Sequence, residues 1–124
     1  RPGCSVVEGK DITPVKVKAL ADAADACWSA IQTRNLPAFA AAFAASFQAQ
    51  IAMFPAMVNP VAYGKPCPDA SVEPYIQKYS QMSGVLAWKM PGAGGGGYLA
   101  LVVEDAKVFA QEHKEAIELC IRRQ

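Results

Sequence analysis

The sequence of 124 residues has little of the chemistry that metal sites and nucleic-acid interfaces require. It contains one histidine and four cysteines, and no two of the cysteines form a C-x-x-C pair. Structural zinc sites need several such ligands at close spacing, so the pattern argues against a metal site. Its twelve basic and eleven acidic residues are interspersed and give a net charge of +1, which argues against binding to DNA or RNA.

Long apolar runs are also missing from the sequence. No uninterrupted stretch approaches the roughly 20 apolar residues that cross a bilayer, and no basic leader with an apolar segment precedes the first predicted helix. Cys27 and Cys120 fall on the apolar faces of predicted helices, where reduced thiols behave as small hydrophobic side chains. We therefore expect a cytoplasmic protein that neither spans a membrane nor is secreted.

The chain does have enough apolar content for one domain. Hydrophobic residues make up 52% of the sequence and charged residues 19%, the balance of a globular protein. A chain of this length can bury a core without disulfides or bound metal. Residues 1–124 are therefore predicted to form a single domain.

Four stretches have the spacing of amphipathic helices. The first two are predicted at about 13–34 and 37–54, with Thr13 as an N-cap. The second helix carries an aromatic stripe that is predicted to be buried, formed by Phe39, Phe43, Phe47, Ile51 and Phe54. The third is predicted at about 71–84, and the fourth from Asp105 nearly to the end of the chain.

Three short stretches have the composition of strands. Residues 4–8 are predicted to be extended, and residues 85–90 and 98–103 to form an antiparallel hairpin. Both hairpin strands are apolar on both faces, which predicts a position inside a sheet with cover on each side. Residues 55–68 are predicted to be an irregular apolar connection. The predicted fold class is therefore α+β, a small, mostly antiparallel sheet covered by about four helices.

A run of glycine separates the two hairpin strands. Five of the six residues from 92 to 97 are glycine, whereas a hairpin turn needs only two residues or one glycine bulge. Glycine allows left-handed backbone conformations, in which successive amides can point at an anion or at another segment. The alternatives are a flexible linker, or a turn kept bare so that a helix packs closely. Linkers rarely join two apolar strands, so we favour a loop that approaches a ligand or a second backbone.

One stretch resembles the third signature motif of the GHMP kinases, which phosphorylate galactose, homoserine, mevalonate and related compounds. It reads Trp88-Lys89-Met90-Pro91-Gly92-Ala93-Gly94-Gly95-Gly96-Gly97-Tyr98-Leu99. The family pattern is a lysine, any residue, a serine or threonine, and then a glycine-alanine-glycine run. Lys89 and residues 92–97 match this pattern. Pro91 departs from it, since it supplies neither a hydroxyl nor a backbone donor.

This resemblance implies a ferredoxin-like C-terminal domain of an ATP-dependent sugar kinase of the galactokinase, fucose kinase or heptose kinase type. The loop would lie at the cleft between two domains, with its amides facing the transferred phosphoryl group or the loop that holds it. The residues placed there by the resemblance are Gly92, Ala93, Gly94, Gly95, Gly96 and Gly97. Lys89 could contact the anion, although a lysine on a strand is often only a solvated charge.

The same resemblance implies that the rest of the active site belongs to an N-terminal domain. That domain supplies a Pro-x-x-x-Gly-x-x-Ser-Ser type loop for the nucleotide phosphates, and this sequence contains no such stretch. ATP and Mg²⁺ are therefore expected to bind mainly through the N-terminal domain, and no catalytic residue is assigned to this chain. The partners implied are that domain, ATP and a sugar. Alone, the chain is predicted to be inactive.

Two further assignments leave alternatives open. Phe54 and Met57 lie where an apolar segment could line the substrate cleft or could cap the core, and core packing is the favoured alternative. His113 is predicted to pack on Phe109 rather than to act in catalysis, because no partner for acid-base chemistry is evident.

Two other functions also remain open. One is the C-terminal half of an enzyme of the diphosphomevalonate decarboxylase branch of the same family. The other is a domain without enzymatic activity that binds a ligand or a protein.

Overall fold

The structure, a computed structural model, describes residues 11–91 and 98–119. Within these ranges the chain forms four α-helices and two separate two-stranded antiparallel sheets, which confirms the α+β class. The helices are α1 (Pro14–Gln32), α2 (Leu36–Met53), α3 (Glu73–Ser80) and α4 (Ala106–Glu112). The strands are β1 (Val61–Ala62), β2 (Lys65–Pro66), β3 (Val85–Lys89) and β4 (Ala100–Val103). The predicted extended segment at 4–8 lies outside the described residues.

The first two helices begin at local capping signals in the sequence. The Thr13 hydroxyl accepts a hydrogen bond from the backbone amide of Lys16 at 3.3 Å, and the Asn35 side chain accepts one from that of Ala38 at 3.0 Å. Each cap satisfies an amide that has no partner inside its helix. Between the helices, Arg34 adopts the left-handed conformation with φ 53°. The two helices therefore form a short-looped pair.

The pair packs through small side chains. Ala23 and Ala30 of α1 are buried, whereas Val17 and Trp28 are 49% and 61% exposed. Alanine at the contact allows two helices to approach closely. On its other side, α2 packs against β3.

Helix α2 is apolar around most of its surface. Within the described part of the chain it is the one helix long and apolar enough to cross a membrane, with a mean hydropathy of 1.3 over 18 residues. The predicted burial of its aromatic stripe holds in part. Phe47 is 2% exposed, while the other four members of the stripe are partly buried and pack against the core.

The core consists of two adjoining clusters beneath the β3–β4 hairpin. In one, Phe47 of α2 contacts Met57, Val58 and Met90. In the other, Ala40, Ala87 and Val102 are buried, with Phe39 and Phe43 packed against them. Strands β3 and β4 are antiparallel as predicted, with Trp88 opposite Leu101 and Lys89 opposite Ala100. The hairpin is thus attached to α2 along one face.

Residues 55–68 are more ordered than the sequence predicted. They contain a 3₁₀ turn at Pro55–Met57 and the β1–β2 hairpin, so the prediction of an irregular connection was wrong. Tyr63 and Gly64 form the turn of that hairpin, with φ of 53° and 75°. Two successive positive φ values match the right-handed twist of the flanking strands. Glycine meets this requirement without strain, and Tyr63 meets it at some cost.

The later helices are shorter than predicted. Helix α3 covers Glu73–Ser80 rather than 71–84, and α4 ends at Glu112 rather than near the end of the chain. From His113 onward the described backbone leaves the helical conformation and crosses towards α3. The hairpin is also not covered equally on both sides, because part of the face opposite α2 opens into a cleft. A hydrogen bond between Tyr79 and Glu115 links this part of the chain to α3.

Candidate functional site

The six predicted loop residues, Gly92, Ala93, Gly94, Gly95, Gly96 and Gly97, lie outside the described residues. The structure does describe the two points where the run joins the hairpin. Met90, before it, is 1% exposed, and Tyr98, after it, is 80% exposed. The pairing of Lys89 with Ala100 places both points at the same end of the hairpin. The glycine run therefore connects two paired strands whose positions are set by the core.

Lys89, at the end of β3, is half-buried and directed at α2. Its ammonium donates a hydrogen bond to the hydroxyl oxygen of Ser46 at 2.8 Å, and that hydroxyl donates to the carbonyl of Phe43 at 2.7 Å. Burial lowers the pKa of Lys89, and the charge of a Cys27 thiolate would act in the opposite direction. Lys89 is therefore not a solvated edge charge, and its contact with an anion remains a prediction.

The thiol of Cys27 lies near this ammonium on the inner side of α1. Burial raises the pKa of the thiol, while the charge of Lys89 acts in the opposite direction. Because the thiolate is the reactive form, a raised pKa keeps this cysteine unreactive near neutral pH. Cys27 is half-buried on α1 and is not a member of either core cluster, so its predicted place on an apolar face holds only in part.

A cleft of about 1080 Å³ lies on the face of the hairpin opposite α2. Pro91 and Tyr98, the residues on either side of the run, both line it. Its floor is β4, and its walls come from α3, α4 and the described chain after α4. The principal lining side chains are Tyr75, Tyr79, Tyr98, Leu101, Val103, Phe109, Glu115 and Ile117.

One polar contact crosses the cleft between α3 and the chain after α4. The Tyr79 hydroxyl donates a hydrogen bond to Glu115 Oε1 at 2.9 Å. Burial, and then this hydrogen bond, raise the pKa of Tyr79. Hydrogen bonds from its own backbone amide and from Tyr79 hold the pKa of Glu115 below its usual value. Glu115 is therefore ionised at neutral pH, and its contact with Tyr79 links the chain after α4 to α3.

Two further side chains lie near this contact. His113 Nδ1 is 3.9 Å from Glu115 Oε1, and the His113 ring packs on Phe109 with centroids 4.3 Å apart. The packing of His113 on Phe109 is as predicted. Lys78 Nζ lies 5.0 Å from the centroid of the Tyr79 ring, but Lys78 does not line the cleft.

The two residues proposed as cleft lining occupy the core. Met57 is fully buried, and Phe54 packs on the cluster that Met57 and Phe47 form. Neither lines the cleft. Among the described residues, no three histidine, cysteine or acidic side chains lie close enough together to hold a metal ion.

The sequence analysis missed the tyrosines and the carboxylate of the cleft. Tyr75 and Tyr79 are four residues apart on a helix, a spacing that could have shown that they share one face. Glu115 had no such signal, because residues 113–119 were predicted to continue α4. Its position depends on a contact with Tyr79, 36 residues earlier in the chain.

Comparisons with known proteins add no relative. A scan against protein-family models, a search of curated proteins and a search of solved structures each found no match to this chain.

Proposed function

We propose that this chain is the C-terminal domain of an ATP-dependent sugar kinase of the GHMP type. In this proposal the fold is a ferredoxin-like variant, and the domain supplies the glycine-rich wall of an active site shared with an N-terminal domain. The parent protein transfers the γ-phosphoryl group of ATP to a sugar hydroxyl. The resemblance of residues 88–99 to the third motif of that family suggests the activity.

The observation that carries the proposal is that Pro91 and Tyr98, the residues on either side of the glycine run, both line the cleft. The run joins β3 and β4 directly, and the residues on both sides of it line the cleft. A flexible linker would not require both of its ends to continue into the paired strands of a packed hairpin. A loop of bare backbone beside a concave surface is suited to approach a phosphoryl group with its amides.

ATP and Mg²⁺ do not fit the described part of this chain. The cleft is lined by carboxylates and by no lysine or arginine among its described residues, so it offers a nucleotide triphosphate no counter-charge. No acidic cluster suited to Mg²⁺ occurs among those residues either. In this proposal both groups bind mainly to the N-terminal domain, and this chain alone catalyses no phosphoryl transfer.

The direct test joins this chain to its native N-terminal domain and measures ATP turnover over a panel of sugars. In the double variant Gly94→Ala, Gly95→Ala, we expect turnover to fall by roughly a hundredfold or more, the cost of losing one pre-positioned amide donor. The reason is that added methyl groups restrict the backbone conformations on which the amides depend.

Controls decide whether the loss is specific. The unfolding midpoint of the double variant should match that of the parent protein, because neither substitution is in β3 or β4, the strands that pack on the core. Full turnover in the double variant would remove the loop from the mechanism, and absence of turnover with every sugar in the unaltered protein would refute the kinase assignment.

A further inference from the structure

We infer that residues 113–119, which follow α4, are a conformational switch with two states. In the latched state, which the structure shows, these residues leave the helix and Glu115 accepts a hydrogen bond from the Tyr79 hydroxyl of α3. In the helical state they continue α4, and Glu115 moves away from Tyr79. This switch is a property of the chain itself and does not depend on the proposed function.

The segment 113–119 has the composition of a helix. Five of its seven residues are among the strongest helix formers, and none is glycine or proline. The structure nevertheless ends α4 at Glu112, and His113 has an extended backbone with φ −122° and ψ 94°. Local preference and tertiary structure therefore disagree here, which is typical of a segment with two conformations close in free energy. The five helix formers are Lys114, Glu115, Ala116, Glu118 and Leu119.

The latched state leaves two large apolar side chains in solvent. Ile117 and Leu119 are each 81% exposed, so this state gains little free energy from burying them. In a continued helix, His113 and Ile117 would follow Phe109 at intervals of four residues and share its face. Phe109 is 8% exposed, and the His113 ring already packs on it with centroids 4.3 Å apart. The helical state therefore turns Ile117 towards the buried side of α4.

The hydrogen bond between Tyr79 and Glu115 favours the latched state. It joins residues 36 positions apart at 2.9 Å, and a continued α4 would break it. Lys78 of α3 and His113 also face the Glu115 carboxylate, and their charges favour its ionised form. A hydrogen bond to an ionised group is stronger than one between neutral groups. Removal of this contact should therefore shift the balance towards the helix.

The two states differ in the shape of the cleft. All of residues 115–119 line it in the latched state, opposite Tyr75 and Tyr79 of α3. A continued α4 would withdraw this wall from α3 and leave that side of the cleft open to solvent. The switch therefore controls access to the cleft.

The test measures the two states by NMR of the chain at neutral pH. The Cα chemical shifts of residues 113–119 report the helix, and chemical-exchange experiments report its population when it is the minor state. We expect non-helical shifts in the unaltered chain. In Tyr79→Phe and in Glu115→Gln, the ratio of helical to latched molecules should rise at least about tenfold, the scale of one lost hydrogen bond to a charged group.

The chain offers matched controls and a reversal. Tyr75→Phe removes a hydroxyl one turn earlier on α3, and Glu112→Gln removes a carboxylate that does not line the cleft, so neither should change the ratio. Glutamine and glutamate have similar helix propensities, so Glu115→Gln tests the contact rather than the propensity. Adding Ala116→Gly to Tyr79→Phe should lower the ratio about fivefold, because glycine disfavours the helix.

Three results would overturn the inference. They are non-helical shifts with no rise of the ratio in either latch variant, helical shifts in the unaltered chain, and an equal rise of the ratio in Tyr75→Phe. Should Tyr79→Phe unfold the chain, Glu115→Gln decides the outcome, because Glu115 is exposed and lies outside the core clusters.

Discussion

The two faces of the β3–β4 hairpin carry similar apolar side chains in different surroundings. On one face, Ala87 and Val102 are buried against α2, at 1% and 9% exposure. On the other, Leu101 and Val103 are half-buried and form the floor of the cleft. An apolar strand face can thus become part of the core or the floor of an open cleft, depending on whether a helix of the same chain covers it.

The largest effect is expected where the covered face meets the core. Phe47→Ala should lower the free energy of unfolding by about 3–5 kcal/mol, because it removes a side chain that is 2% exposed and leaves a cavity beside Met57 and Met90. Urea denaturation of the chain measures this loss. A loss below about 1 kcal/mol would mean that the cluster does not hold the hairpin to α2.

A sharper comparison uses two neighbouring valines on opposite faces of β4. Val102→Ala should lower the free energy of unfolding by about 1–2.5 kcal/mol, because the Val102 side chain is buried against α2. Val103→Ala should lower the free energy of unfolding by less than about 1 kcal/mol, because the Val103 side chain already faces the open cleft. Both substitutions remove the same atoms from the same strand, so equal losses in urea denaturation would contradict the distinction between the faces.

The smallest effect is expected for the Lys89 ammonium, which is half-buried on the hairpin face that α2 covers. Burial lowers the pKa of Lys89 below its ordinary value of 10.5, so the folded state disfavours the ammonium. The unfolded state then binds more protons between the lowered pKa and 10.5, and stability should rise with pH through that window. We expect the stability of the unaltered chain, measured relative to Lys89→Met, to increase as the pH approaches 10.5.

The methionine variant retains the apolar stem of the lysine. The contributions of the other titrating groups to the pH dependence of stability cancel in the difference between the two chains. Lys65→Met, in the exposed strand β2, is the matched control and should show no such slope. A difference that stays constant or falls with pH would show that the Lys89 ammonium is not penalised by its surroundings.

Local signals in the sequence predicted much of the fold. The cap at Thr13 and the apolar spacing placed α1 and α2 within two residues of their observed bounds. Strand composition placed the β3–β4 hairpin almost as well. The Tyr63–Gly64 turn was missed because two strands of two residues each carry almost no periodicity.

The candidate site was less predictable than the fold. The sequence drew attention to the glycine run through its composition, but it did not indicate which residues surround that run. Tyr75, Tyr98 and Glu115 come from three separate parts of the chain and meet only at the cleft. Phe54 and Met57 were considered for the cleft because their segment is apolar, and the structure uses them in the core.

By itself the sequence determined where helices and strands begin, because caps, prolines, glycines and apolar spacing act over a few residues. Only the tertiary structure decided which face of the hairpin α2 covers, where α4 ends, and that Glu115 meets Tyr79. These outcomes depend on contacts between distant residues, whose free energies outweigh local preferences. No single segment of the chain contains both partners of such a contact.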